Sequence, residues 1–292
     1  MRRRGDRPQT CLPAGRSFQI RFYYMKYRLT FILFAAAFIY GCSQSKYAVT
    51  NKSYKQQAKV LAKTLAQYPV KDSVRYTTEW IGTTNFNLRK PNFIIIHHTA
   101  QNSCEQTLTT FTTVKSQVSA HYVICKDGAI HHMLNDYLRA WQAGVSKWGN
   151  ATDINSLSIG IEIDNNGFEP FTEQQITSLL GLLDRLKRAY SIPAANFIGH
   201  SDIAPGRKVD PNKYFPWQKL SQNGFGLWYD TTNVNVPVDF NAIQALRIIG
   251  YNISNEKNAI QSYKLHFVQN DSTKTINEGD KKILYDLMKK YQ

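Results

Sequence analysis

The chain reads as an α/β protein, a mixed central β-sheet flanked by helices, with a small C-terminal three-helix domain after it. Three observations predict this. Apolar runs of strand length at residues 93–96, 121–125, 158–163 and 196–200 alternate with amphipathic helical patterns, the signature of an interleaved α/β domain. The run Phe93-Ile94-Ile95-Ile96 is continuous, as expected of a strand covered on both faces. After Trp228 the strand signal stops, and only short helical patterns follow.

Each element has its own signal. Residues 43–53 are polar and read as a tether, and 54–68 carry a helical pattern with Ala58, Leu61 and Leu65 on one face. Residues 69–91 are mixed loop and short strand, including Trp80-Ile81. Residues 107–116 read as a helix. His121 to Cys125 enters the Lys126-Asp127-Gly128 turn, and 129–134 can return as a hairpin. Thr172 opens a helix with Glu173 in its first turn and Leu179, Leu180, Leu183 and Leu186 on its inner face. Residues 233–237 form a linker. Asp239 is the expected cap of the next helix, whose face is Phe240, Ile243, Leu246 and Ile249, with Gly250 as its stop. The second C-terminal helix carries Ile260, Tyr263 and Phe267; the third carries Ile283, Leu284, Leu287 and Tyr291. The expected boundaries are a signal region at 1–41, a tether and N-terminal helix at 42–75, the α/β domain at 76–230 and the helical domain at 236–292. A domain of that last size has a marginal core, so it is expected to dock on its neighbour or gain order from a ligand.

The formal charge of +15 does not make this a nucleic-acid binder. Residues 1–41 hold eight of the 36 basic residues and one of the 21 acidic ones, which leaves a net of +8 spread along 42–292 with no dense basic run. Such a balance suits an anionic polymer or surface. Met25-Lys26-Tyr27-Arg28 followed by an apolar stretch from Leu29 to Tyr40 is a secretion signal, too short to span a bilayer comfortably. Met25 is the expected start, with residues 1–24 upstream of it. The segment ends Phe38-Ile39-Tyr40-Gly41-Cys42-Ser43, which resembles a bacterial lipobox and makes Cys42 the expected site of lipidation. In an oxidising compartment Cys104 and Cys125 could form a disulfide, although Cys125 lies in an apolar strand pattern and equally suits a buried thiol.

His97 ends the isoleucine run, and His200 opens the segment Gly199-His200-Ser201-Asp202-Ile203-Ala204-Pro205-Gly206-Arg207-Lys208-Val209-Asp210-Pro211. Two imidazoles and one carboxylate are the donor set of an open zinc site, where three protein ligands leave a fourth position for water. Asp210 is the natural third ligand, because the Pro205-Gly206 turn folds the loop back. Asp202 competes, but suits orienting His200 or the loop. His97 should emerge at a sheet edge, with His98 pointing the other way into packing. Glu162 stands between Ile161 and Ile163: an ionisable group in an apolar strand suits a general base, while alternation also allows a solvent-facing position. Lys208 can stabilise an oxyanion. His121 is expected to be structural, His131 and His132 to lie at the surface or to support the residues of the site from behind, and His266 to sit in the helical domain away from this chemistry.

Six motifs, HHTA, SAHY, KDG, AWQAG, SIGIEI and GHSDIAPGRKVDP, occur in this order over roughly residues 80–222. Together they resemble the zinc-dependent N-acetylmuramoyl-L-alanine amidases of the amidase-2, peptidoglycan-recognition-protein type. The resemblance implies that His97, His200 and Asp210 bind Zn2+, that Glu162 is the catalytic carboxylate and that Lys208 assists the oxyanion. It implies peptidoglycan or muropeptides as the partner, hydrolysed between the lactoyl group of N-acetylmuramic acid and L-alanine, with no nucleic acid involved. The C-terminal helices are similar to peptidoglycan-binding domains. With the lipobox, the whole is most like a monomeric, periplasmic amidase anchored in the outer membrane of Gram-negative bacteria. The alternative is a lipoprotein that recognises peptidoglycan without cutting it. Two positions depart from the family. Gln142 replaces the usual histidine of the Ala-Trp-His-Ala-Gly segment, where a substrate contact is implied. Ala120 stands where some members place a catalytic tyrosine.

Overall fold

The structure, a computed structural model, describes residues 45–66, 83, 85 and 87–292. It divides into two compact units, Met1–Ile81 and Gly82–Gln292. Cys42, the signal region and the Trp80-Ile81 strand lie outside the described residues. In the first unit, α1 (Ala48–Leu65) begins in the stretch read as a tether. Residues 48–53 contain no glycine or proline to stop a helix, so their polarity alone did not make them a tether. Among the described residues, no helix is long and apolar enough to cross a membrane.

The second unit is built on a five-stranded sheet. Its strands are β1 (Phe93–His98), β2 (Tyr122–Ile124), β3 (Ile130–His132), β4 (Ser158–Ile163) and β5 (Phe197–Gly199), in the order β3-β2-β4-β1-β5. β1 runs parallel to β4 and β5, and β2 is parallel to β4. β3 pairs antiparallel with β2, which is the expected hairpin. A mixed sheet results, as the interleaved pattern predicted.

Alternation along the strands separates two cores. On one face Ile94, Ile96, Ile159, Ile161, Ile163 and Phe197 pack under α4 (Glu173–Tyr190), whose Ile176, Leu179, Leu183 and Leu186 are buried. Thr172 caps α4 in a reciprocal box with Gln175. The opposite face, with Ile95 and Ile198, is covered by the C-terminal helices α7 (Ala242–Ile249), α8 (Glu256–Tyr263) and α9 (Glu278–Tyr291). These helices share one apolar cluster with the sheet, through Leu246, Ile249, Tyr263, Phe267 and Leu284. Two local readings change. Asn241, rather than Asp239, caps α7, accepting from the backbone N–H of Ile243 and Gln244. Beyond Tyr263 the helix widens into a π-turn at Lys264–Val268, which buries His266 and Phe267.

The remaining elements are α2 (Cys104–Thr112), α3 (Ile154–Leu157), α5 (His200–Ile203) and α6 (Trp217–Gln222). Cys104 at the start of α2 and Cys125 just after β2 form a disulfide, with Cα atoms 5.3 Å apart. This settles the open question of the two thiols.

Candidate active site

The site grows from the end of the parallel strands. β1 extends two residues beyond the expected run, so His97 lies in the ladder rather than beyond it, directly opposite Glu162 on β4. Strand alternation puts His97 on the Ile95 face and Glu162 on the Gly160 face, which is the same side of the sheet. β5 ends at Gly199, and His200 starts the one-turn helix α5. The chain then turns back through the Ala204-Pro205-Gly206 segment to Asp210, whose carbonyl accepts from the Ser201 N–H at 2.8 Å.

Three donor atoms converge there. His97 Nδ1 and His200 Nδ1 are 2.9 Å apart, and Asp210 Oδ2 is 3.0 Å from each. Three corners of a tetrahedron around zinc, with bonds of about 2.0–2.1 Å, stand roughly 3.3 Å apart, so this triangle fits such an ion with a small expansion. All three side chains are buried. Among the described residues, the same three form a group able to hold a metal; Cys104, Cys125 and His131 form another by proximity, but two of those are joined in the disulfide.

Charge follows the packing. Burial pushes the Glu162 carboxyl up to about 7, with nearby Asp210 adding to the rise and His97 and Lys208 opposing it. Its Oε1 is 3.9 Å from His97 Nδ1, and its Oε2 is buried with no hydrogen-bond partner. An ionisable oxygen left bare beside a metal-type donor set is suited to taking a proton from water. Burial, helped by the charge of His97, lowers His200 to about 4. Burial opposes ionisation of Asp210, but the two imidazoles hold its carboxyl well below the usual carboxylate range. Lys208 is half-buried on the returning loop, and its charge acts on Glu162, His98 and His200.

Other sequence candidates are sorted by their contacts. His98 points to the opposite face, and its Nδ1 accepts from the Asn212 N–H at 3.0 Å. His121 is buried between the Gly160 N–H and the Leu138 carbonyl. His131 and His132 are exposed, with His132 stacked on Tyr122. Asp202 is not in the donor triangle. Fully buried, it accepts from the Gly199 N–H at 2.7 Å and the Tyr251 hydroxyl at 2.8 Å, and lies 2.7 Å from His266 Nδ1. His266 is therefore not remote from this chemistry: it bonds a carboxylate two residues from His200. The reason is the π-turn, which swings its ring between Trp217 and Phe267. Gly206 lies against the Asn258 side chain, where an added Cβ would stand 2.1 Å from Nδ2. The helical region thus grips the loop that carries both His200 and Asp210. Sequence reading missed Tyr251, for which no local motif exists. It also missed that Gln142 bonds His97, with Oε1 2.6 Å from Nε2. The departure at Gln142 was the available signal, read toward substrate rather than toward the protein.

Fold and site define a hydrolytic enzyme that presents a bare buried carboxylate beside a three-donor cluster at the end of a parallel sheet. Comparison with known proteins then narrows the class. Residues 87–213 match the amidase-2 family, described as N-acetylmuramoyl-L-alanine amidase. The chain is 30% identical over 272 residues to the N-acetylmuramoyl-L-alanine amidase AmiD of Escherichia coli K12, covering 82% of this chain and 90% of that one. It is 39% identical over 104 residues to the 1,6-anhydro-N-acetylmuramyl-L-alanine amidase AmpD of Haemophilus influenzae, spanning only 56% of that protein. Among solved structures, the complex of E. coli AmiD with anhydro-N-acetylmuramic acid-L-Ala-D-γ-Glu-L-Lys superposes with a TM-score of 0.63 at 27% identity, over 76% of this chain and 97% of that one. AmpDh3 from Pseudomonas aeruginosa does so with a TM-score of 0.64 at 27% identity, over 76% and 99%. The chain belongs to the N-acetylmuramoyl-L-alanine amidase family.

Proposed function

We propose that this enzyme hydrolyses the amide bond between the lactoyl group of N-acetylmuramic acid and L-alanine in peptidoglycan fragments, with zinc as cofactor, during cell-wall turnover or recycling. The observation that carries this reading is the 2.9–3.0 Å triangle of His97, His200 and Asp210 beside the unpartnered Glu162 Oε2. The relatives named for anhydro-muramyl substrates support anhydromuropeptides as the substrate form to test first.

His97, His200 and Asp210 would hold the zinc, which when bound supplies Lewis acidity toward the scissile carbonyl and its attacking water. Glu162 takes the proton of that water on its bare oxygen. It then returns the proton to the departing L-alanine nitrogen, so that a neutral amine leaves. Lys208 places positive charge near the developing oxyanion. Neither a histidine at 142 nor a tyrosine at 120 takes part, so proton transfer rests on Glu162.

The lipobox supports lipidation at Cys42 and, with it, a periplasmic location at the outer membrane, while the complete donor set of His97, His200 and Asp210 favours cleavage over recognition alone. The deciding experiment is mass spectrometry of fragments released from a defined anhydromuropeptide. Intact stem peptide beginning at L-alanine is expected with zinc, and none after chelation. Glu162→Ala should reduce turnover by at least about 100-fold while zinc stays bound. Cleavage within the stem peptide, or undiminished turnover by the variant, overturns the proposal.

A further inference from the structure

We infer that Gln142 and Ala143 act as a two-residue clamp that sets the proton positions of both metal-facing histidines, with Ser158 and Asn155 as the parts that hold the clamp. The inference rests on the metal reading of the site, and concerns how the chain prepares that site.

The argument starts from a backbone carbonyl. Ser158 Oγ lies 2.7 Å from the Ile154 carbonyl oxygen, which can only accept, so the single hydroxyl proton goes there. Toward Gln142 the hydroxyl can then only accept, and the atom facing it at 2.8 Å is Nε2, an N–H donor. With its nitrogen committed to Ser158, Gln142 turns Oε1 toward His97, 2.6 Å from the ring Nε2. An amide oxygen cannot donate, so His97 carries its proton on Nε2. In the neutral ring the lone pair therefore sits on Nδ1, the atom facing His200 and Asp210.

The next residue does the same for the other histidine. The Ala143 carbonyl lies 3.1 Å from His200 Nε2, which must donate to it, so the lone pair of His200 is also on Nδ1. One side chain holds residues 142 and 143 in register: Asn155 Oδ1 accepts from the backbone N–H of both, at 3.1 and 2.8 Å. Room for Gln142 comes from β4, since a Cβ at Gly160 would stand 2.6 Å from Gln142 Cγ. Two imidazoles thus present lone pairs beside a carboxylate oxygen, an arrangement of three acceptors that suits a cation and little else. Partners on the far ring nitrogen commonly alter metal affinity by about 10–100-fold. Glutamine at 142 supplies an uncharged acceptor whose orientation is fixed by a neighbour, and this gives the departure from histidine a role.

The test measures zinc affinity rather than turnover, by chelator competition on the full-length protein. Gln142→Leu should weaken zinc binding about 10–100-fold, and Gln142→Glu, which keeps an acceptor toward His97 and can take the Ser158 hydroxyl proton on its other oxygen, should restore it to within a few-fold. Metal-free stability of both variants should stay close to that of the wild type, because a packing role would lower it. Long-range proton–nitrogen NMR of the zinc-loaded protein should place the proton of both histidines on Nε2. Coordination through Nε2, or Gln142→Leu binding zinc as tightly as the wild type, overturns the clamp and leaves the metal site standing. Absence of zinc binding by the wild type instead overturns the metal reading beneath it. A loss of affinity matched by an equal loss of metal-free stability assigns Gln142 to packing and also overturns the clamp.

Discussion

At Glu162 the sequence signal and the geometry agree for a physical reason. A carboxyl between two isoleucines in a strand is out of place in any packed core unless it has work to do, and that mismatch is visible without coordinates. What sequence could not decide was which face it occupies. Its register opposite His97 decides that, and burial then raises it from an ordinary value near 4.5 to about 7. The consequence for stability has a definite sign. The folded carboxyl resists ionisation while the unfolded one ionises near 4.5, so its contribution is full below that value and is lost as pH rises through about 7. In the metal-free protein, Glu162→Gln is expected to stabilise by on the order of 3 kcal/mol at pH 8, and to be neutral near pH 4. Denaturant unfolding at the two pH values measures this, and a loss of stability at pH 8 would mean the carboxylate is favourably held. Gln142 shows the opposite case: its partner lies 45 residues away in sequence, so only its deviation from a pattern could draw notice.

Among the elements, the strands and α4 were legible because their period and caps are local properties. Strand β1, the hairpin turn and the Thr172 cap all follow from residues within a few positions of one another. Two local readings failed where a neighbour overruled them. Asn241 outcompeted Asp239 as a cap, and the π-turn after α8 carried His266 toward Asp202. The disulfide between α2 and the end of β2 was open in the sequence, since pairing depends on Cα separation rather than on spacing. It closes a separation of 21 residues, for which loss of unfolded-state freedom corresponds to about 3 kcal/mol. Replacing both cysteines by serine should lower stability by that order, measured by urea unfolding under non-reducing conditions. An unchanged midpoint would show that the loop is already constrained without the bond.

At the scale of the whole molecule, the helices at 242–291 do not behave as an appendage. They cover one face of the sheet, share a core with Ile95 and Ile198, and hold Asp202 in the loop between two site residues. Calorimetry of the intact protein should therefore show one cooperative transition for the sheet and helical parts, with a van't Hoff to calorimetric enthalpy ratio of about 1. Two separated transitions would establish an independent helical domain. The sequence by itself determined the α/β class, the order of most elements, the residues of the donor set and the family they resemble. Each of these is written in local periodicity or in a short ordered motif. Only the tertiary structure decided that Asp202 turns to Tyr251 and His266, that Gln142 faces His97, and that the C-terminal helices grip the loop. Those outcomes depend on contacts between distant segments, where distance and burial choose among side chains that are chemically alike.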